Sequence, residues 1–280
     1  MNALEIKNLT KSFDGFQLDH LNLALPSGCI MGLIGENGAG KSTTIRLILD
    51  ILHRDGGTVT ILGKDNQENI HLLKEEIGVV MDEVGIPECL TAHQVGNVMK
   101  HTFQNWDCAE YNRLLGKLSL PEGKPFKDFS RGMKMKLGIA IAMSHRAKLL
   151  ILDEATSGLD PVVRDEVLEM LSDFTRDENH SILISSHIVS DLEKLCDYIA
   201  FLHRGKLLLC EEKDLLLAQY GIVHCTAQQL DRLDPSAVAY QRRSPYGVQA
   251  IVRRSCVPPE VSVSPISIEE LFIFMVKEAQ

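Results

Sequence analysis

The 280-residue chain carries 45% hydrophobic and 24% charged residues and a formal net charge of −9. These fractions sit near globular averages and exclude a disordered or fibrous chain, and the acidic balance argues against a surface that coats nucleic acid. Length alone allows one large domain or two. The cysteines at 29, 89, 108, 196, 210, 225 and 256 are odd in number and form no C-x-x-C pair, as reduced thiols of a cytosol-like compartment would. The first residues lack the charged and apolar regions of a secretory signal, and no run of about 18 apolar residues is present to cross a bilayer.

In chain order, Leu4 to Leu9 alternates enough for an edge strand. Ser12-Phe13-Asp14-Gly15 then turns, and Phe16 to Leu25 reads as a second strand. Cys29 to Ile34 is a short buried strand candidate, and Thr44 to Leu52 carries the apolar spacing of an inward-facing helix. Between them lies Gly35-Glu36-Asn37-Gly38-Ala39-Gly40-Lys41-Ser42-Thr43, in the strand, loop and helix order of a phosphate cradle. Its glycines let the backbone take positive φ and aim successive N–H groups at one set of oxygens. The helix start adds unpaired N–H groups and a positive dipole end. Lys41 can reach the β- and γ-phosphates of a nucleotide, and the Ser42 hydroxyl is a hard ligand for Mg²⁺.

Asp55-Gly56-Gly57 and Gly63-Lys64-Asp65 are turn signals around a β-branched strand at 58–62, and Ile77 to Met81 is a buried strand that ends in Asp82-Glu83. From 82 to 147 helical patterns dominate, at 92–103, 109–118 and 133–144. Lys148 to Glu154 returns to an apolar run, expected of a strand in a parallel sheet covered on both faces. Asp160-Pro161 opens a helix to about Arg176, with Asp160 as its N-cap. Ser181 to Ser185 is another buried strand, Val189 to Cys196 a short helix, and 198–202 with 206–210 a hairpin around Arg204-Gly205. Strands alternating with helices mean a mostly parallel α/β sheet. Beyond Gly221, strand candidates at 223–225 and 248–252 alternate with prolines at 235, 245, 258, 259 and 265, and Ser267-Ile268-Glu269-Glu270 is a capping-box start for a helix through Lys277. That region reads as a small appended subdomain, 221–280, behind a body of 1–220.

Asp153 and Glu154 stand at the C-terminal end of an apolar strand, where ligands bind in open α/β sheets. An Asp there can hold Mg²⁺, and an adjacent Glu can orient and deprotonate the attacking water. Alone, the pair would read as solvated loop carboxylates; downstream of a phosphate cradle, the metal reading wins.

With these residues in place the chain resembles the ATP-binding-cassette ATPases from about Leu4 to Gln219. Phe129-Ser130-Arg131-Gly132-Met133 is similar to the family's signature motif, whose commonest form is LSGGQ. Ser130 and Gly132 keep the residues that touch phosphate, while Arg131 and Met133 depart. Ser157-Gly158-Leu159-Asp160 looks like the D-loop, and His187 like the switch histidine that contacts the γ-phosphate. Phe13 matches the aromatic position that stacks on adenine, although Phe13, or Phe16, can also pack in the core. The resemblance puts Asp82 where the family usually has Gln; Asp82 can still ligate the cation, Glu83 can be the aligned residue instead, or the pair can be a helix-capping turn.

The resemblance implies a P-loop NTPase of ABC type, with a mostly parallel sheet, an antiparallel β subdomain, a helical subdomain at 82–147 and a C-terminal α+β extension. ATP and Mg²⁺ are the implied cofactors. Glu154, His187 and Lys41 are then catalytic. Phe13, the 35–43 loop, Ser130, Gly132 and Asp160 bind nucleotide, and Ser42, Asp82 and Asp153 hold the metal. The implied function is ATP hydrolysis for a transporter, with an exporter expected. Two copies, or a related pair, would close on ATP at the cytoplasmic face of the membrane, bound to a separate permease and not to nucleic acid. The rival is a soluble ABC ATPase of translation or DNA repair, which usually joins two cassettes in one chain or carries long coiled coils.

Overall fold

The computed structural model describes residues 1–68, 73–244 and 247–278, so Pro245 lies outside the described residues. Its centre is a six-stranded sheet of order β10-β9-β3-β8-β7-β6. It consists of β3 (Ile30–Ile34), β6 (Ile77–Val80), β7 (Leu149–Asp153), β8 (Ser181–Ser186), β9 (Tyr198–His203) and β10 (Lys206–Glu212). All pairings are parallel except that of β9 with β10.

The apolar runs have the expected cause. Along β7, Leu150 and Leu152 face one core while Leu149 and Ile151 face another, and β3 and β8 divide in the same way. A strand covered on both faces has no polar side to show. One face is covered by α1 (Lys41–Ile48) and a four-stranded antiparallel sheet of order β2-β1-β4-β5. Its strands are β1 (Asn2–Phe13), β2 (Phe16–Pro26), β4 (Gly56–Ile61) and β5 (Lys64–Asp65). The expected edge strand at 4–9 is corrected here: β1 pairs with β2 on one side and β4 on the other, because the β-branched segment 58–61 returns to claim its second edge. The opposite face is covered by α2 (Ala92–Thr102), α3 (Cys108–Lys117) and α4 (Arg131–Met143) of the helical subdomain, then α5 (Pro161–Phe174) and α6 (Val189–Leu195).

The C-terminal segment holds α7 (Lys213–Gln219), β11 (Tyr220–Cys225), α8 (Ala227–Leu230), β12 (Val238–Ser244), β13 (Gly247–Arg253) and α9 (Ile268–Glu278). The strands form a three-stranded antiparallel sheet, β11-β13-β12. Val223, Val248 and Val252 make a small cluster on one face. On the other, Ile222, Ile251 and the buried residues of α9 join the main core, where Phe272 lies 5.2 Å from Phe201 of β9. The capping box forms as expected: Glu270 N–H donates to Ser267 Oγ and Ser267 N–H to the Glu270 carboxylate. Among the described residues no helix is long and apolar enough to cross a membrane.

Candidate nucleotide site

The parallel sheet brings separated sequence segments to one edge. In register, Ile34 pairs with Ser186, Asp153 with Ser185 and Val80 with Leu152. The segments that follow these strands, 35–43, Glu154, His187 and Asp82, therefore leave the sheet at the same end, where open α/β sheets bind ligands.

The phosphate loop turns at Gly38 (φ 81°) and Gly40 (φ 110°), conformations that only glycine takes without strain. The helix consequently starts at Lys41, earlier than the expected Thr44, because the left-handed Gly40 is itself its N-cap. An added Cβ at Gly40 would lie 2.9 Å from the Phe16 ring. Phe16 thus leans on the loop and lines a cavity of about 610 Å³ with Glu36, Asn37, Gly38, Gly40, Lys41, Ser42, Thr43, Asp82, Glu154, Ser157 and His187. Gly35 lies below this lining, where a Cβ would meet the Leu202 carbonyl at 2.6 Å, and Ala39 is buried.

Lys41 is 6% exposed, and its Nζ donates to the Gly35 carbonyl at 2.8 Å and pairs with Glu154 Oε1 at 3.2 Å. The other Glu154 oxygen is 2.7 Å from His187 Nδ1. Glu154 has φ 54°, a backbone conformation that non-glycine residues adopt at a cost and that clusters at functional sites. Its N–H donates to Ser185 Oγ at 3.1 Å. Ser185 Oγ in turn donates to Asp153 Oδ1 at 2.6 Å. Chemically, a phosphate placed at Lys41 would compete with Glu154 for its charge, and a carboxylate held by His187 is of a kind that takes a proton from water.

The donor set fits a hard divalent cation. Ser42 and Asp82 offer oxygens at the cavity, and Asp153 is a carboxylate 2% exposed with no ion-pair partner among the described residues. A buried carboxylate is costly without a cation, and oxygen ligands of this kind suit Mg²⁺.

Seven expected residues stand outside the lining: Gly35, Ala39 and Asp153, which are buried or packed against the backbone, and Phe13, Ser130, Gly132 and Asp160. Phe13 is exposed at the β1–β2 turn, its ring centroid 6.2 Å from Phe16. Ser130 caps its own helix, accepting from Met133 N–H at 3.2 Å. Asp160 caps α5, accepting from Val162 and Val163 N–H. Gly132 sits in the first turn of α4, with Leu159 and Val163 nearby. Sequence reasoning missed Phe16 as a lining residue and Ser185 as the link between Asp153 and Glu154. The serine's place at the end of an apolar strand was the signal available for the second.

The family description "ABC transporter" matches residues 18–157. The chain belongs to the ABC transporter family, as an ATP-binding and ATP-hydrolysing component with a P-loop fold. The bacitracin transport ATP-binding protein BcrA of Enterococcus faecalis is 35% identical over 208 residues, 73% of this chain and 68% of BcrA. The ABC transporter ATP-binding protein YtrB of Bacillus subtilis (strain 168) is 29% identical over 96% of this chain and 97% of its own length. A solved structure of the ATP binding subunit of an ABC transporter superposes with a TM-score of 0.70 at 28% identity, covering 78% of this chain and 92% of that one.

Proposed function

We propose that this chain is the ATPase subunit of an exporter, working on Mg-ATP as two copies, or a related pair, attached to a separate membrane permease at the cytoplasmic face. The observation that carries the reading is the chain of contacts from Lys41 through Glu154 to His187, at 3.2 and 2.7 Å, above a phosphate loop. Within it Lys41 holds phosphate, Glu154 is the general base and His187 orients it; Ser42, Asp153 and Asp82 would hold Mg²⁺. Bound Mg²⁺ would neutralise charge that develops between the β- and γ-phosphates.

Ser130, Gly132 and Asp160 do not line the cavity of their own chain, which supports a role toward the nucleotide of a second copy. Two such sites related by a two-fold axis give a closed pair. The groove of Glu83, Ile86, Glu88, Phe126 and Phe129 within the helical subdomain is the surface proposed for the permease. Similarity to a bacitracin transport protein supports a role in transport, and residues 221–280 form an accessory subdomain in this reading.

Glu154→Gln tests it. The amide keeps the carboxylate's shape and loses its basicity, so the protein should bind Mg-ATP and accumulate as a dimer by light scattering. A monomer at saturating ATP, with binding confirmed separately, would overturn the paired arrangement.

A further inference from the structure

Arg131 occupies the first position of α4, with no acidic residue in that first turn. A cation at the positive end of a helix dipole is disfavoured unless an anion lies close. Here the anion comes from another element. Arg131 Nη2 donates to Asp82 Oδ1 at 2.7 Å, with both side chains about half exposed. Asp82 lines two cavities, that of the phosphate loop and a second shared with Arg131 and Lys134. The same guanidinium lies over Gly158 (φ +68°), where an added Cβ would come within 2.8 Å of it. One side chain thus touches the segment after β6, the start of α4 and the loop before α5. Two of the departures from the family's usual residues, Arg131 and Asp82, are partners of each other.

We infer that Arg131 is a nucleotide-contacting residue that exchanges partners. In the empty chain it is held by Asp82; when two chains close, it turns to the terminal phosphate of ATP held by the second copy. The inference rests on the paired arrangement proposed above. A phosphate at this helix start satisfies both the dipole and the guanidinium, and a charge-assisted contact to phosphate can be bidentate. Asp82, released, becomes available to the cation that Ser42 and Asp153 would hold. The Gln and Gly usual at these positions carry no charge to exchange, so the coupling is a property of this pair.

A double-mutant cycle tests the exchange. In the Glu154→Gln background, the ATP concentration giving half-maximal dimer is measured by light scattering for Arg131→Gln, Asp82→Asn and both together. If Arg131 leaves Asp82 to reach phosphate, Arg131→Gln raises the ATP requirement, and raises it about two- to fivefold more in the Asp82→Asn background, where no pair has to be broken first. Any direct role of Asp82 toward the cation cancels in the cycle. Arg131→Lys, which keeps the charge, should restore most of the dimer. An equal or smaller effect of Arg131→Gln in the Asp82→Asn background overturns the exchange while leaving the paired ATPase intact. Absence of any dimer from Glu154→Gln overturns that arrangement, and the exchange with it.

Discussion

In the phosphate-loop half of the site the working groups hold one another: Lys41 is buried between the Gly35 carbonyl and Glu154, and Ser185 ties Glu154 to Asp153. In the signature half, Ser130 and Asp160 spend their oxygens on the N–H groups of their own helices. The first half is assembled by strand register in a sheet covered on both faces, the second by helix starts that face outward. In the proposed pairing, each chain brings the phosphate-loop half to one nucleotide and the signature half to the other.

The largest break in that contrast should come from Lys41→Ala. It removes a buried donor to phosphate and leaves Glu154 without its cation, and ATPase activity should fall by at least about 10²–10³-fold. Measured turnover equal to the wild type would take Lys41 out of the site. Ser130→Phe attacks the other half. Hydrolysis should drop about 10²-fold through misplacement of the signature half, while nucleotide binding to the single chain, followed by fluorescence titration, stays as it was. A parallel loss of binding would mean that the two halves are not separate.

The smallest effect belongs to a control remote from both halves. Glu76 joins the starting ends of β6 and β7, away from the site, by pairing with Lys148 at 2.6 Å, and it also pairs with Lys64 of β5 at 3.4 Å. Hydrogen bonding from Lys148, with the charges of both lysines, holds the Glu76 carboxyl below its ordinary value of 4.5 against a burial effect that raises it. The native state then binds fewer protons than the unfolded one, so the stabilisation is complete above about pH 4.5 and is lost as pH falls through the lower native value. Lys148→Met should cost about 0.5 kcal/mol at pH 7, in the range of exposed pairs. That cost should shrink toward zero in acid, with ATP affinity unchanged throughout. Denaturant melts at pH 7 and pH 3 measure it.

Much of the first half was legible because its signals are local. Gly38, Gly40, Lys41 and Ser42 stand within one short stretch where an apolar strand passes into a helix, and Asp153-Glu154 and His187 each end an apolar run. The second half was legible mainly through family resemblance, since S-R-G carries little information by itself. Pairings between distant segments were not legible. Nothing near Arg131 announces Asp82, and the choice between Phe13 and Phe16 depends on how the β1–β2 turn meets Gly40. The interior position of β1 depended on where β4 returned. Among the elements that escaped, two had weak pattern: α7 buries only Leu216, and β12 is the outer strand of its sheet, where a polar sequence such as Gln241-Arg242 is tolerated.

The docking of α9 on the main core bears on how the protein is made. Phe201 and the face of β9 around it are covered by Phe272, a residue synthesised only after β11, β12 and β13 have followed. During translation, the helix-covered side of the sheet is left with an apolar patch until that helix emerges, while α1 and the antiparallel sheet can already close the other side. Apolar surface exposed in this way before a chain is finished is an aggregation hazard. A ribosome stalled before residue 268 would hold a chain able to shape its phosphate loop yet unable to complete its core.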